Sequence, residues 1–312
     1  MKSIVKYSYL LLAAMVFSAC NDALDDELFD KTVVFTKNGF QDIHIDYVNN
    51  GEVITNLPIS VSGTSANMQD VNVTVLLDED TLNTYNFERF RNQTALYYRL
   101  LPAASYQLGS SNVTIASGQE STILPIRLDV QQIDKFNDYV LPLRIGQSSA
   151  YTIGPSKYSK VLMRILFQNY FSGDYVVSGR VRDLTFNSEI SLTSRTLKVV
   201  DERTCYFYAG TIDANSTLAD KEKFIIKVHT DPETGEASLT ALDPAIELEQ
   251  RQAKIEQSTE LDPLNQNIEI TTVKLTLTYR YKDISNTVDP PTMEFDGSMT
   301  LVKTRDISVW NK

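Results

Sequence analysis

The chain has 312 residues, a formal net charge of −11 and two cysteines. Such an acid surplus repels nucleic acid and anionic lipid headgroups, so neither is expected as a partner. The only cysteines are Cys20 and Cys205, so at most one disulfide can form and the fold relies on ordinary cores.

The N-terminus comes first. Met1 to Tyr9 carries Lys2 and Lys6 and no acid, Leu10 to Phe17 is apolar, and Ser18-Ala19 supplies small residues before Cys20. This is the grammar of a secretory signal over residues 1–19. The apolar run falls short of the roughly 20 residues a spanning helix needs. Small residues before a cysteine resemble the lipobox of bacterial lipoproteins, with Phe17 standing where Leu is usual. That resemblance implies acylation of Cys20 and a membrane partner reached through lipid, each buried CH₂ adding about 0.8 kcal/mol. Residues 20–30 hold Asp22, Asp25, Asp26 and Glu27 and read as a solvated tether. Loss of the leader, with two lysines and no acid, takes the charge from −11 to −13.

From residue 31 onward, alternation of period two dominates, the signature of half-buried strands. Val33 to Phe35, Ile43 to Tyr47, Ile59 to Val61, Val71 to Val75, Val113 to Ile115, Ile123 to Leu128 and Tyr139 to Ile145 follow it. Turn residues such as Ser62-Gly63-Thr64 and Ala116-Ser117-Gly118 separate them. Pro125 and Pro142 inside strand-like runs predict edge or bulged strands. Asp78 to Asn86 predicts a short helix capped by Asp78 or Asp80, and Gln131 to Phe136 a second. About seven strands over residues 31–168 predict an immunoglobulin-like β-sandwich.

Residues 169–312 carry further strand-like runs, among them Tyr175 to Val181, Thr196 to Val200, Cys205 to Ala209, Phe224 to His229 and Met293 to Val302. Ile270 to Tyr281 alternates most clearly. Asp231 to Gly235 marks a hairpin turn. Residues 246–257 fit a polar helix or two solvated strands. The second unit is expected to be an antiparallel β-sandwich or an open barrel, which makes the whole chain all-β with one or two short helices.

Leu100-Leu101-Pro102 to Tyr106, a following Val-Thr-Ile run with Gly118, and Tyr139-Val140-Leu141-Pro142-Leu143 resemble the N-terminal domain of Bacteroidetes-type two-domain surface lipoproteins. Phe171-Ser172-Gly173-Asp174-Tyr175, Leu261-Asp262-Pro263 and Leu275 to Tyr281 resemble the β domain that often follows it. The resemblance implies an outer-membrane address facing the cell exterior, signalled by the acidic tether, and a place in glycan-capture loci. In relatives the N-terminal domain also precedes family-18 glycosidase-like domains.

No DxxDxDxE acid run of the family-18 kind is present, nor GxSxG, HExxH, a P-loop or GxGxxG. Asp78, Asp80 and Asp129 lack calcium-loop spacing. No cofactor, metal ligand set or catalytic residue is assigned. Cys205, in an apolar-aromatic run, reads as a buried hydrophobe. The chain has 16 Tyr and one Trp, and sugars stack on such rings. Tyr97, Tyr98, Tyr208 and Trp310 are therefore the glycan-binding candidates, with Tyr206, Phe207, Tyr279 and Tyr281 behind them. The expected function is non-catalytic binding of a polysaccharide or oligosaccharide, or assistance to an outer-membrane transport partner. The alternatives are a structural or adhesive protein-binding module and a glycoside hydrolase with scattered carboxylates.

Overall fold

The computed structural model describes residues 29–48, 51–216, 221–285 and 288–308. The 1–19 leader, Cys20, most of the 20–30 tether and Trp310 lie outside them.

In chain order the first half holds β1 (Thr32–Phe35), β2 (Gly39–Asp46), β3 (Glu52–Ser62), β4 (Val71–Leu77) and the helix α1 (Glu79–Phe90). β5 (Arg99–Leu100), β6 (Tyr106–Leu108), β7 (Asn112–Ile115), β8 (Ser121–Asp129), β9 (Tyr139–Ser148), β10 (Thr152–Ile153), α2 (Ser156–Ser159) and β11 (Lys160–Gln168) follow. One sheet runs β10-β1-β3-β8-β6 and the other β2-β11-β9-β4-β7, with β5 also on β9. The pairs β1–β10 and β2–β11 are parallel.

The alternation seen in the sequence becomes the core. Val33, Phe35, Leu57, Ile59, Leu124, Ile126 and Leu128 face inward from the first sheet. Ile45, Val73, Val75, Leu141, Leu143, Val161, Met163 and Ile165 meet them from the second. Burial of each such side chain stabilises the fold by about 1.5–3 kcal/mol.

Pro125 departs from expectation, while β9, which carries Pro142, is bulged as expected but at Gly146 rather than at the proline. β8 pairs with β3 and β6, and β9 with β11 and β4, so both strands are interior. Strand N–H and C=O groups of one residue point to the same side. The Pro125 carbonyl accepts from Gly109 N at 3.0 Å, just past the end of β6, and the Pro142 carbonyl from Asp78 N at 3.0 Å, just past β4. Each missing N–H therefore faces the place where a shorter neighbour has run out.

Asp78 caps α1, accepting from Thr81 N at 3.4 Å and Thr81 Oγ1 at 2.7 Å. The helix runs four residues beyond the predicted Asn86. The second predicted helix is a single 3₁₀ turn at Val130–Gln132.

The second half is a barrel of eight strands: β12 (Gly173–Asp183), β13 (Ser188–Asp201), β14 (Thr204–Tyr208), β15 (Ile225–Asp231), β16 (Glu236–Ala241), β17 (Glu249–Asp262), β18 (Asn265–Lys282) and β19 (Thr292–Asp306). Of the two expected forms it is the barrel, and it is closed. The ambiguous 246–257 segment is a 3₁₀ turn ending at Ile246, then one strand, β17.

Tyr175, Leu197, Phe207, Val228, Leu275, Tyr279 and Phe295 fill the interior. Closure is uneven. β16 meets β17 through one backbone pair, Glu236 with Lys254. Gln250 bridges the gap beyond, its Oε1 accepting from Leu239 N at 2.6 Å and its Nε2 donating to Ala237 O at 3.4 Å. Opposite, β12 bulges between Val176 and Gly179, and Gly179 lies against Gly297 of β19. A Cβ on Gly297 would collide with Gly179 Cα and Ser178 O.

Candidate functional site

The outer face of the second sheet builds the site. β11 lies parallel to β2 with Leu162 beside Phe40, Arg164 beside Asp42, Leu166 beside His44 and Gln168 beside Asp46. Neighbours in this register share a face. Arg164 grips Asp42 in a bidentate pair at 2.7 and 2.6 Å, and Gln168 donates to Asp46 at 2.8 Å. α1 covers the Phe40 and Leu162 end of this face with Leu82, Tyr85 and Phe90. The other end stays open toward the barrel.

Asn86 on α1 sets the next wall. Its Nδ2 donates to Tyr98 O at 2.9 Å and its Oδ1 accepts from Tyr98 N at 3.0 Å. The buried amide thus replaces a strand partner for Tyr98, whose backbone polar groups would otherwise be orphaned. The Tyr98 ring packs 5.2 Å from Phe40 and 5.4 Å from Phe90, and its hydroxyl accepts from Arg164 at 3.3 Å. Burial raises that hydroxyl's pKa above the ordinary tyrosine value, against the pull of Arg164 and Arg89.

The barrel is fastened across from it. Lys198 of β13 donates to both oxygens of Asp138 at 2.9 Å, and Phe136 packs on Tyr206 at 5.1 Å. The connection Gln168 to Gly173 is knotted by Asn169. Its Oδ1 accepts from Phe171 N at 3.1 Å and Ser172 N at 2.8 Å, and its Nδ2 donates to Asp201 O at 2.9 Å. Lys303 Nζ donates to Asn169 O at 2.7 Å, and burial holds that amine below the ordinary lysine range.

Between these elements lies a cleft of about 1390 Å³ whose walls come from both halves. Tyr97, Tyr98 and Tyr208 all line it, and Trp310 lies outside the described residues. Tyr98 and Tyr208 are 8 % and 6 % exposed, so little of either ring is open to solvent. Tyr97 is half-buried, its hydroxyl donating to Arg91 O at 2.6 Å. Tyr206, Phe207, Tyr279 and Tyr281 are buried in cores. Cys205 is buried too, its thiol pushed far up by desolvation, which makes it a poor nucleophile. Among the described residues no three His, Cys, Asp or Glu side chains gather as metal ligands. Asp78 is instead committed to Thr81 and, at 3.0 Å, to Lys160.

Several cleft groups escaped the sequence reading. Arg164 interrupts an apolar run, Val161-Leu162-Met163-Arg164-Ile165-Leu166, which marks it as an outward residue with a partner. Tyr85 and Arg89 sit four apart on α1, where side chains meet, and Arg89 Nη1 does donate to Tyr85 at 2.7 Å. Asp138 and Lys198 carry no local signal, because their pairing spans 60 residues.

The family model described as a domain of unknown function, DUF4973, matches residues 24–149, and a model of a C-terminal domain matches residues 159–300. β11 falls within the second match, yet it completes a sheet of the sandwich. No curated protein matches. Among solved structures, a Bacteroides ovatus protein of unknown function is 28% identical over 88% of this chain and 96% of its own, with a TM-score of 0.79. A Bacteroides ovatus multidomain protein including DUF1735 is 28% identical over the same shares, with a TM-score of 0.78. An auxiliary nutrient binding protein from Bacteroides thetaiotaomicron is 26% identical over 86% of this chain and 92% of its own, with a TM-score of 0.74. The chain is thus similar over most of its length to these Bacteroides proteins.

Proposed function

We propose that this chain is a non-catalytic binding protein, anchored by lipid on Cys20 to the outer face of the outer membrane, and that its cleft takes up an oligosaccharide or a polysaccharide segment. The observation that carries the proposal is the convergence of Tyr97, Tyr98 and Tyr208 with arginine, lysine and carboxylate side chains on one cleft between two tied β units. The half-buried Tyr97 leaves part of a ring for sugar C–H groups and the charged groups supply hydrogen bonds, the usual composition of a small-ligand site. The likeness to a protein described as an auxiliary nutrient binding protein supports the same reading. Asp138, one of the cleft carboxylates, is engaged by Lys198, and Asp46 by Gln168, which supports binding over hydrolysis at those two groups.

Calorimetric titration of the full chain in detergent against a panel of plant and host glycans tests the binding. At least one glycan is expected to bind, with Tyr97→Ala weakening it at least tenfold; no binding across the panel would sink the reading. The anchor has its own test. Cys20→Ala should lose metabolic labelling by palmitate and move to the soluble fraction.

A second reading, contact with a protein of an uptake complex, is favoured by the β12–β13 turn. There Leu184, Phe186 and Ile190 are 42 %, 74 % and 57 % exposed, an apolar group of the kind that marks interaction surfaces. Cross-linking that survives Phe186→Asp unchanged would remove this support.

A further inference from the structure

We infer that the cleft's saccharide is acidic, carrying carboxylate or sulfate groups, and that Arg89 and Arg99 read that charge. The inference rests on glycan binding at the cleft, as proposed above.

The charge balance is the first ground. The chain as a whole is at −11. The cleft lining nonetheless holds seven lysines and arginines against six aspartates and glutamates. The lining of this cleft is thus close to charge balance, in a chain that is strongly acidic as a whole.

The second ground is how those cations are partnered. Two guanidinium groups flank the same rings. Arg89 lies 6.0 Å from the Phe40 centroid and 5.9 Å from that of Tyr98, and Arg164 lies 5.6 Å from both. Between them they have one carboxylate, Asp42, and Arg164 holds both of its oxygens. Arg89 is left with the Tyr85 hydroxyl and the faces of Phe40, Tyr85, Phe90 and Tyr98. Ring faces attract a cation but do not neutralise it. The C-terminus of α1 favours a cation in its last turn, which explains Arg89's tolerance there and leaves its charge free to act outward. Arg89 is exposed.

Arg99 adds a third guanidinium. Its backbone N donates to Asp138 O at 2.9 Å, which pins β5 to the cleft wall. Its side chain is exposed and lines the cleft, and among the described residues no acid pairs with it. Two uncompensated guanidinium forks beside a bed of aromatic rings suit a ring with an anionic substituent. The forks match carboxylate or sulfate in bidentate geometry, and the rings behind them hold the guanidinium groups of Arg89 and Arg164 in place. The acidic surface beyond the cleft opposes a densely charged polyanion such as nucleic acid, so the recognition is local to the site.

The test titrates the full chain in detergent with polygalacturonate, with the same polymer fully methyl-esterified, with chondroitin sulfate and with neutral glycans. Polygalacturonate or chondroitin sulfate should bind; binding of polygalacturonate shows that carboxylate suffices, whereas binding of chondroitin sulfate alone, since it carries carboxylate too, shows that sulfate is needed. The esterified polymer should bind at least tenfold more weakly than the acid form. Arg99→Gln, at an exposed position, should weaken the charged polymer at least fivefold, and by clearly more than it weakens a neutral ligand. Arg89→Gln should do the same, with Arg89→Lys restoring part of the loss. Equal affinity for acid and ester, or for wild type and both glutamine variants, overturns the acidic specificity while glycan binding stands. Failure of every charged and neutral glycan overturns both.

Discussion

The barrel hides its strand edges by closing on itself, whereas the sandwich leaves one sheet face bare and then dresses part of it with α1 and the loop to Tyr98. The consequence is a division of labour. In the barrel most of the buried inward side chains described are apolar and packed against one another. In the sandwich the helix covers only the Phe40 end of the outer face, and the uncovered remainder becomes the cleft floor. The regular unit supplies a wall that includes Lys198 and Tyr208, and the interrupted unit supplies the arginines, Arg89, Arg99 and Arg164, beside Tyr97 and Tyr98. This is the general pattern of function carried on insertions held by a scaffold.

The sharpest way to break the contrast is to attack the barrel where its backbone is tightest. Gly297→Val sets a branched side chain against the backbone of Gly179 and Ser178, where no rotamer gives relief. It should cost about 4 kcal/mol, above the usual range for overpacking. Denaturant unfolding followed by tyrosine fluorescence would measure it. A loss under about 1 kcal/mol would mean that the seam yields and that the barrel is less rigid than its packing implies.

The matching test in the sandwich is Asn86→Ala. It strips both partners from the Tyr98 backbone, and each buried unsatisfied group costs about 1–3 kcal/mol. A loss of about 3 kcal/mol is expected, together with weaker ligand binding, because the loop bearing Tyr97 and Arg99 loses its anchor. A stability loss without any effect on binding would detach α1 from the site.

Asp78→Asn separates the cap's charge from its shape. Burial works against the Asp78 carboxylate, but hydrogen bonds from Thr81 and Lys160 and the charge of Lys160 outweigh it and hold it below its ordinary 3.8. A carboxylate with a depressed folded pKa contributes stability that is complete above the unfolded value and lost as pH falls through the folded one. The variant should therefore be less stable by about 1.5 kcal/mol at pH 7, and the gap should close as pH falls through the depressed folded value. A gap that persists in acid would assign the loss to packing.

The two units also differ in how much of them can be read from residues alone. Period-two alternation made the all-β class plain, and Asp78 with its following acids announced α1, because both signals are local. Barrel closure was hidden, since it depends on the Gly179–Gly297 approach, 118 residues apart in sequence, and on one glutamine side chain bridging β16 to β17. Tyr97, Tyr98 and Tyr208 were legible as aromatic candidates, but not their meeting in one cleft. Pro125 misled for a related reason: a proline at the end of a neighbour's ladder looks, in sequence, like a proline on an edge.

The smallest expected effect lies at the junction. Lys198 and Asp138 keep 24 % and 34 % of their side chains exposed, so solvent screens much of their attraction. Lys198→Met should cost about 0.5–1 kcal/mol, the range of a partly exposed pair. Its consequence for binding should be larger than its consequence for folding. Asp138 would be freed of its cation and would add a negative charge beside Arg99, since Asp138 O is the acceptor for Arg99 N. An acidic glycan should then bind more weakly while a neutral one is unaffected. Asp138→Asn should act in the opposite sense, because it removes the acid and releases the lysine. Two junction variants of similar stability with opposed effects on the same charged ligand would tie the junction's charge to recognition. Effects of the same sign would show that the pair acts only by holding barrel to sandwich.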